Sequence, residues 1–469
     1  MRLNVARKPD PIFTDAGAVA VKVDYEAQLR RSVLACLLWE DSFYEDGASI
    51  ADRITGLAGK VRVETLAALA IEARHEQNLR HVPLLLTAIL VTRAKGAIVA
   101  DTIAAVISRA DELTEFLTIY AKVKNVGTDK LKSVMTHAMR RGLARAFLKY
   151  DAYQLAKYNG ARAVSLRDVL FLVHPKPDTP ARQAIWDQLA AGTLPPADTW
   201  ETAGSKGEDK KATFERLLEA GKLGYMALLK NLRGMEQAGV DTKLIKEAIA
   251  ARKGAHRVLP FRFLTAAKHA PKFERELDAS MIASLQDIEK LPGKTVLVVD
   301  VSGSMGVSLS GAWGGSDPSR LDTAAALSAL VVGVSEDPVV YATAGSDMRR
   351  VHDTKLIPAR QGMAMVDLIN QAARTQGGGG IFLTQCMDQI AKAEIDADRV
   401  IVITDEGDCE RDPLKMPARA NAFGKRNYLI NISIAKNGIG YKPKWTHIDG
   451  WSESVIKFIA ASEAATTNA

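Results

Sequence analysis

Residues 296–305 read VLVVDVSGSM, a run of branched apolar residues that ends in Asp300, with Ser302 and Ser304 following at two-residue spacing. A near-continuous apolar run of this kind is the pattern of a buried parallel strand. Open α/β sheets bind ligands in the loops beyond the carboxyl ends of their strands, so this loop would present one carboxylate and two hydroxyls. Hard oxygen donors of this type suit a divalent cation, Mg²⁺ first and Mn²⁺ second, far better than zinc. A second apolar run, Val400 to Thr404 (VIVIT), ends in Asp405. Two serines at a strand–helix junction are, taken alone, ordinary turn chemistry; the flanking strand and Asp405 favour a cation site. An esterase-type nucleophile elbow needs Gly two residues before the Ser, and here Ser304 is preceded by Ser302 and Ser302 by Asp300.

The DxSxS pattern, with an Asp at the end of a second strand, resembles the metal-ion-dependent adhesion site of von Willebrand factor A domains. The resemblance implies that Asp300, Ser302 and Ser304 hold the metal, while Asp405 steadies the site from behind them. That family also offers a Thr just after a Gly-Gly pair. Here Gly377 to Gly380 are followed by Ile381, and the nearest Thr is Thr384. Either Thr384 takes the role from a shifted loop or the metal shell is incomplete.

The elements that must position this loop belong to a chain of 469 residues, long enough for at least two domains. Hydrophobic residues at 47% and charged residues at 25% are ordinary for a soluble globular chain. No stretch reaches the roughly 18 uninterrupted apolar residues of a membrane helix. The opening MRLNVARKPDP has no apolar core behind its basic residues, so no secretory signal is expected. Cys36, Cys386 and Cys409 are too few and too scattered for a disulfide framework or a zinc cluster, which points to a cytoplasmic protein.

Charge is divided unevenly. From Lys294 onward there are 18 Lys and Arg against 20 Asp and Glu, leaving 44 against 35 in residues 1–293. The whole basic excess therefore lies in the N-terminal part, and a basic module joined to a neutral one suggests an anionic partner, most often nucleic acid.

Two textures divide the chain at the same place. From about residue 24 to 291, apolar residues recur at three and four spacing, as in LRRSVLACLLWE, VPLLLTAILVTRA, TIAAVISRADELTEFLTIYAKV and LKSVMTHAMRRGLARAFLKY. These predict amphipathic or mostly buried helices, and successive pairs of roughly 40 residues suggest a HEAT-like solenoid. Residues 192–211 read as a polar loop. After LPGK at 291–294, strands and helices alternate, the α/β pattern.

DYEAQLRRSVLACLLWEDSFYEDG at 24–47, LRHVPLLLTAIL at 79–90, LRDVLFLVHPKP at 166–177, GYMALLKNLRGM at 224–235 and RVLPFRFLTA at 257–266 together resemble the TROVE module of the Ro 60-kDa autoantigen family and its bacterial or phage members. The resemblance implies a multidomain α plus α/β chain. After an N-terminal arm (1–23), a HEAT-like helical ring (24–291) would precede a doubly wound von Willebrand factor A-like domain (292–469). It further implies a ribonucleoprotein scaffold that binds small structured Y-like RNA on the ring's outer basic surface and single-stranded 3′ ends of misfolded RNA in its hole. An exoribonuclease partner and a monomeric state are expected on the same ground.

The residues can be read for that chemistry. Lys132, Arg140, Arg141, Arg145 and Lys149 fall at spacings that put several on adjoining helix faces. Such a stripe neutralises successive phosphates without regard to sequence, although cations snorkelling from a solvated face give the same pattern. His174 follows the apolar segment DVLFLV and precedes Pro175, Lys176 and Pro177, which should stop the helix there. In the TROVE family a Lys and a His at this separation contact Y RNA, and Lys157 and His174 match both. A capping role for His174 is the plainer alternative.

His81 and His137 read as helix-surface or packing residues, and His256-Arg257 as a candidate lining of the hole. Trp39, Phe43 and Tyr44 read as core. The glycines at 377–380 and the Gly56–Lys60 segment lack the GK[ST] of a phosphate-binding loop. Asp405, Glu406, Asp408 and Glu410 read as coordination and surface solvation. Nothing in the sequence argues for an enzyme. A metal-dependent protein-interaction adaptor, with the helices as a spacer, is the competing expectation.

Overall fold

The computed structural model describes residues 24–34, 47–283, 290–307, 319–411, 422–433 and 445–450, apart from 78, 161, 256, 257, 259 and 377, together with Ile12, Phe13, Val19, Ala20, Ile439, Val455, Ile459 and Glu463. Trp39, Phe43, Tyr44 and the His256-Arg257 pair lie outside the described residues. The chain forms two compact units. One comprises Asp52–Val258 and Ala266–Ser280; the other comprises Met1–Ala51, Leu259–Thr265 and Met281–Ala469.

The first unit is built of helices. Two apolar runs that the sequence presents as continuous are broken, each by a cap. The run through 102–123 divides into Ala97–Val106 and Ala110–Val123. The break falls where the Glu112 carboxylate accepts the backbone N–H groups of Ser108 and Arg109 at 2.9 and 3.1 Å. The basic run 131–150 divides into the single turn Leu131–Val134 and the helix His137–Phe147. Met135 is extended there, and the Thr136 hydroxyl caps the second helix by accepting the Met139 N–H at 3.2 Å. Lys132 and Arg140 are therefore not on one helix. The polar segment 192–211 is likewise not all loop: Thr199 and Thr202 form a capping box that starts the helix Trp200–Ser205.

Buried polar anchors hold these helices in register. Arg74 donates to the carbonyls of Val106 (3.0 Å) and Leu79 (2.8 Å) and pairs with buried Glu112. Gly142 permits a close crossing of His137–Phe147 over Ala97–Val106, since a Cβ added there would meet the Ala100 carbonyl oxygen at 2.8 Å and Ile103 Cβ at 2.9 Å.

In the second unit, Ile12–Phe13 (β1) and Val19–Ala20 (β2) form a small antiparallel pair. The main sheet has six strands: Leu291–Asp300 (β3), Ser335–Ser346 (β4), Val351–Ile357 (β5), Arg399–Thr404 (β6), Arg426–Asn431 (β7) and Thr446–Asp449 (β8). Their order is β5-β4-β3-β6-β7-β8. All neighbours are parallel except the edge hairpin β4–β5. The strand order reverses between β3 and β6, so the carboxyl ends of those two strands flank a topological switch point, the place where such sheets bind ligands.

Both faces of the sheet are covered, which explains the unbroken apolar runs. Val296 and Val298 pack in a core with Ile381, Leu383, Cys386, Met387 and Ile390 on the side of the helix Leu383–Ala393. Leu297 and Val299 alternate to the opposite face, and the helix Arg320–Val334, buried along nearly its whole length, also packs on β3.

The helix Tyr25–Leu34 contacts β8 within this unit. Near the C-terminus Glu463 accepts a bidentate pair from buried Arg399, Nε to Oε1 at 2.9 Å and Nη2 to Oε2 at 2.6 Å. Arg426 adds a third bond at 2.7 Å. Burial alone would raise the Glu463 pKa, but these arginines hold it below the usual range.

Candidate functional site

The β3 strand delivers Asp300, fully buried, to the switch point. Asp300 Oδ1 accepts the Ser302 backbone N–H at 2.9 Å and Oδ2 accepts the Thr404 hydroxyl at 2.7 Å. These bonds orient the carboxylate and join the ends of β3 and β6. The hydroxyls of Ser302 and Ser304 lie 3.3 Å apart. Neighbouring ligands around an octahedral Mg²⁺ at about 2.1 Å would stand about 3 Å apart, a separation that the two hydroxyls approach. Burial first, and then the charge of Asp405, raise the Asp300 pKa above the normal carboxylate value. A nearby cation would relieve both effects.

The glycine-rich segment supports this loop by close backbone contact. Gly303 donates its N–H to the Gly379 carbonyl at 3.2 Å, and a Cβ on Gly303 would fall 2.5 Å from the Gly378 carbonyl oxygen. Thr384 sits in the first turn of Leu383–Ala393.

Asp405 has a partner that the sequence did not suggest. Its Oδ2 accepts from Arg320 Nη1 at 2.7 Å, with both side chains buried, and its Oδ1 accepts the Gly407 N–H at 3.0 Å. The one-carboxylate, two-hydroxyl set Asp300, Ser302 and Ser304 fits a divalent cation completed by water. Asp405 fits a supporting place, since its charge is already met by the buried Arg320 guanidinium. Among the described residues no group of three or more His, Cys, Asp and Glu side chains is placed to hold a metal, so a cation here would rest on this oxygen set.

The acidic stretch after Asp405 is not a solvated surface, contrary to expectation: Asp405, Glu406, Asp408 and Glu410 are all buried. Glu406, at φ 59°, receives Arg31 Nη2 on Oε2 at 2.5 Å and His447 Nε2 on Oε1. Arg31 Nε is 3.4 Å from Asp449 Oδ1, and Asn431 donates to that same oxygen at 2.9 Å. Burial would raise the Glu406 pKa, but Arg31 and then His447 hold it below the usual carboxylate range. Asp408 accepts the N–H groups of Leu383 and Glu410, both at 2.8 Å, yet burial pushes its carboxyl up to about 7. The loop after β6, which carries Asp405, is thus fastened to the helix Tyr25–Leu34 by a buried ion cluster.

In the helical unit, the residues picked out for RNA divide by what their side chains do. Lys132, Arg141, Lys157, His174 and Lys176 are exposed. Arg140 is half-buried and is spent on structure: its two terminal nitrogens donate to the carbonyls of Leu172 (2.5 Å) and Lys132 (2.8 Å). Arg145 pairs with exposed Asp101 at 2.5 Å.

The helix Leu166–Val173 opens with a capping box of Ser165 and Asp168 and closes on His174, which is left-handed at φ 49°. The His174 backbone N–H caps the helix by donating to the Leu170 carbonyl at 3.0 Å, which leaves the exposed imidazole outside the cap. Through Arg140, the ends of two segments bearing Lys132 and His174 are brought side by side. Lys157 stands on Ala152–Tyr158, its ammonium 5.6 Å from the Tyr158 ring centre. His81 is partly buried beside Glu115, and burial lowers its pKa, as for a packing residue; His137 is exposed. Among the described residues no helix is long and apolar enough to cross a membrane.

These features define a helical-repeat module joined to a von Willebrand factor A-like α/β domain. The TROVE domain family matches residues 14–185 and 181–353, and the chain belongs to that family. Its fold is similar to the crystal structure of the Ro (RSR) protein of Deinococcus radiodurans, with a TM-score of 0.56 at 17% identity, over 93% of this chain and 99% of that one. It is also similar to telomerase protein component 1 of Mus musculus (32% identical) and of Rattus norvegicus (31%), in each case over 100 residues. Those stretches are 20% of this chain and only 4% of the relatives' own length.

Proposed function

We propose that this protein is a non-catalytic RNA-binding scaffold of a ribonucleoprotein. The observation that carries the reading is the set of exposed cations Lys132, Arg141, Lys157 and Lys176, with the exposed imidazole of His174, in the part of the chain that holds all the basic excess. Charges presented this way bind phosphates strongly, with steep salt dependence and little sequence preference. Membership of the TROVE family and a fold like that of a bacterial Ro protein support the same reading.

In the finer form of the proposal, a Y-like structured RNA occupies the outer basic surface, contacting Lys157 and His174. Single-stranded 3′ ends of misfolded RNA enter the ring for quality control in the cytoplasm, with an exoribonuclease as a partner of a monomeric scaffold. Asp300, Ser302, Ser304 and Thr384 would hold a Mg²⁺ or Mn²⁺ ion, with Asp405 behind them. Bound there, the ion would supply an open coordination position for a partner's carboxylate. The buried Asp300 carboxylate, oriented by Ser302 and Thr404, favours a second reading, a metal-dependent adaptor.

The two readings part on one comparison. On the scaffold reading, the Lys157→Ala/His174→Ala variant binds a stem–loop RNA more weakly than wild type, keeps an unchanged thermal melt, and is indifferent to chelator. Unchanged RNA affinity in the double variant removes these residues from the site.

A further inference from the structure

The helix Leu166–Val173 buries Leu166, Val169 and Val173 and turns a different set outward: Arg167, Phe171 and the His174 that ends it. Spacings of four and three place these three along one exposed face. Phe171 is 51% exposed, more than any other large apolar side chain described in the helical unit. The packing of the helix does not require it, because the buried stripe is complete without that ring.

The ring is not bare. The Arg167 guanidinium carbon lies over it, 5.7 Å from its centre. The exposed ring and the guanidinium together place two planar groups at the protein surface. Around the pair the charge is positive: exposed Lys176 follows just beyond the exposed imidazole of His174 at the helix end, and Arg140 sits on the Leu172 carbonyl. The helix's own acid, Asp168, is spent on its cap, accepting both the N–H (2.8 Å) and the hydroxyl (2.7 Å) of Ser165.

A single exposed aromatic is unremarkable on its own. An exposed aromatic beside Arg, with further cations nearby, is the chemistry that holds an unpaired base: the face stacks on the π surface while the flanking phosphates meet the charges. We propose that Phe171, with Arg167 and His174, is a stacking platform for an unpaired nucleobase of RNA. This rests on the RNA-binding reading and adds to it a site for single-stranded or looped-out nucleotides, distinct in character from the phosphate contacts of the surrounding lysines.

The test is fluorescence anisotropy with two probes, a short single-stranded oligo(A) and a blunt RNA duplex, across a salt series. Phe171→Leu keeps an apolar side chain but removes the π surface. It should weaken oligo(A) binding by about fivefold to 150-fold, the range of one lost base–aromatic stack. It should leave duplex affinity unchanged, and the slope of log affinity against log salt should not move because no charge is lost. Phe171→Trp should restore binding. Oligo(A) affinity for Phe171→Leu equal to wild type overturns the platform and is the outcome expected if the ring instead docks a protein. So does equal weakening for oligo(A) and duplex, which would report a general loss of structure. Failure of the wild-type protein to bind either probe overturns the RNA reading itself along with the platform.

Discussion

Replacing Arg31 by Met removes the cation at the centre of the buried cluster that joins the helix Tyr25–Leu34 to β8 and to the loop that follows Asp405. Arg31 and Glu406 are both essentially without solvent contact, and their closest atoms are 2.5 Å apart. Asp449, 3.4 Å from Arg31 Nε, is the second acid that the guanidinium balances. At an effective dielectric constant near 20, unit charges at these separations attract by about 7 and about 5 kcal/mol. Desolvating the ions costs several kcal/mol each, so the intact cluster contributes little net stability. Losing one partner is different, because it leaves two buried carboxylates facing one imidazole, and breaking such a pair costs about 3–5 kcal/mol.

Read as local opening, that cost corresponds to a rise in amide exchange of about two to nearly four orders of magnitude, confined to the Tyr25–Leu34 helix and β8. Hydrogen exchange by mass spectrometry measures it. The double variant Arg31→Met/Glu406→Gln should recover part of the loss, since the charge left stranded by the first change is removed by the second. The folded-state pKa of Glu406 is depressed, so its contribution is present above the normal Glu value of about 4.3 and is lost as pH falls through the lower folded value. In wild type the helix should therefore begin to loosen as pH falls below about 4.3 and go on loosening down through the lower folded value. Exchange in the Arg31→Met variant matching wild type at neutral pH would refute the reasoning.

Three further outcomes follow from the same geometry. Arg320→Gln should leave Asp405 and Asp300 without a balancing cation and make the melting temperature more responsive to Mg²⁺ than in wild type; an equal Mg²⁺ response would show that Arg320 does not set the charge of the site. Asp300→Ala should abolish retained divalent metal by elemental analysis, and full occupancy would refute the oxygen-donor assignment. Gly142→Ala should destabilise the helical unit by about 1–3 kcal/mol, the usual cost of overpacking; a urea midpoint equal to wild type would show that the Ala100 carbonyl can yield.

The strands β3 and β6 were legible because both faces of the sheet are covered, which leaves an apolar run that cannot be mistaken for an amphipathic helix. Ser302 and Ser304 were legible because their spacing is local. The helix breaks at 107–109 and 135–136 were harder, since one Glu and one Thr outweigh long apolar periodicity by capping. Arg320 was missed because its partner lies 85 positions away. A signal was present: a cation in the first turn of a helix opposes the macrodipole, so an otherwise apolar helix that begins with Arg needs an acid nearby. Arg31 was hidden for the same reason, its partner being 375 positions distant. Acids such as Glu406 and Glu410 looked solvated because charge in sequence cannot distinguish a surface from a buried, paired cluster. Phe171 was legible only as an apolar residue, and its exposure is a property of the packed helix.

The central claim is tested most directly by the affinity of the purified protein for a stem–loop RNA with a single-stranded 3′ tail across a salt series. With four or five exposed cations meeting phosphates, log affinity should fall with log salt at a slope of about −3 to −5, and removing the tail should weaken binding further. Weak binding that is flat with salt would contradict the RNA-scaffold account and leave the A domain's oxygen-donor loop as the functional centre.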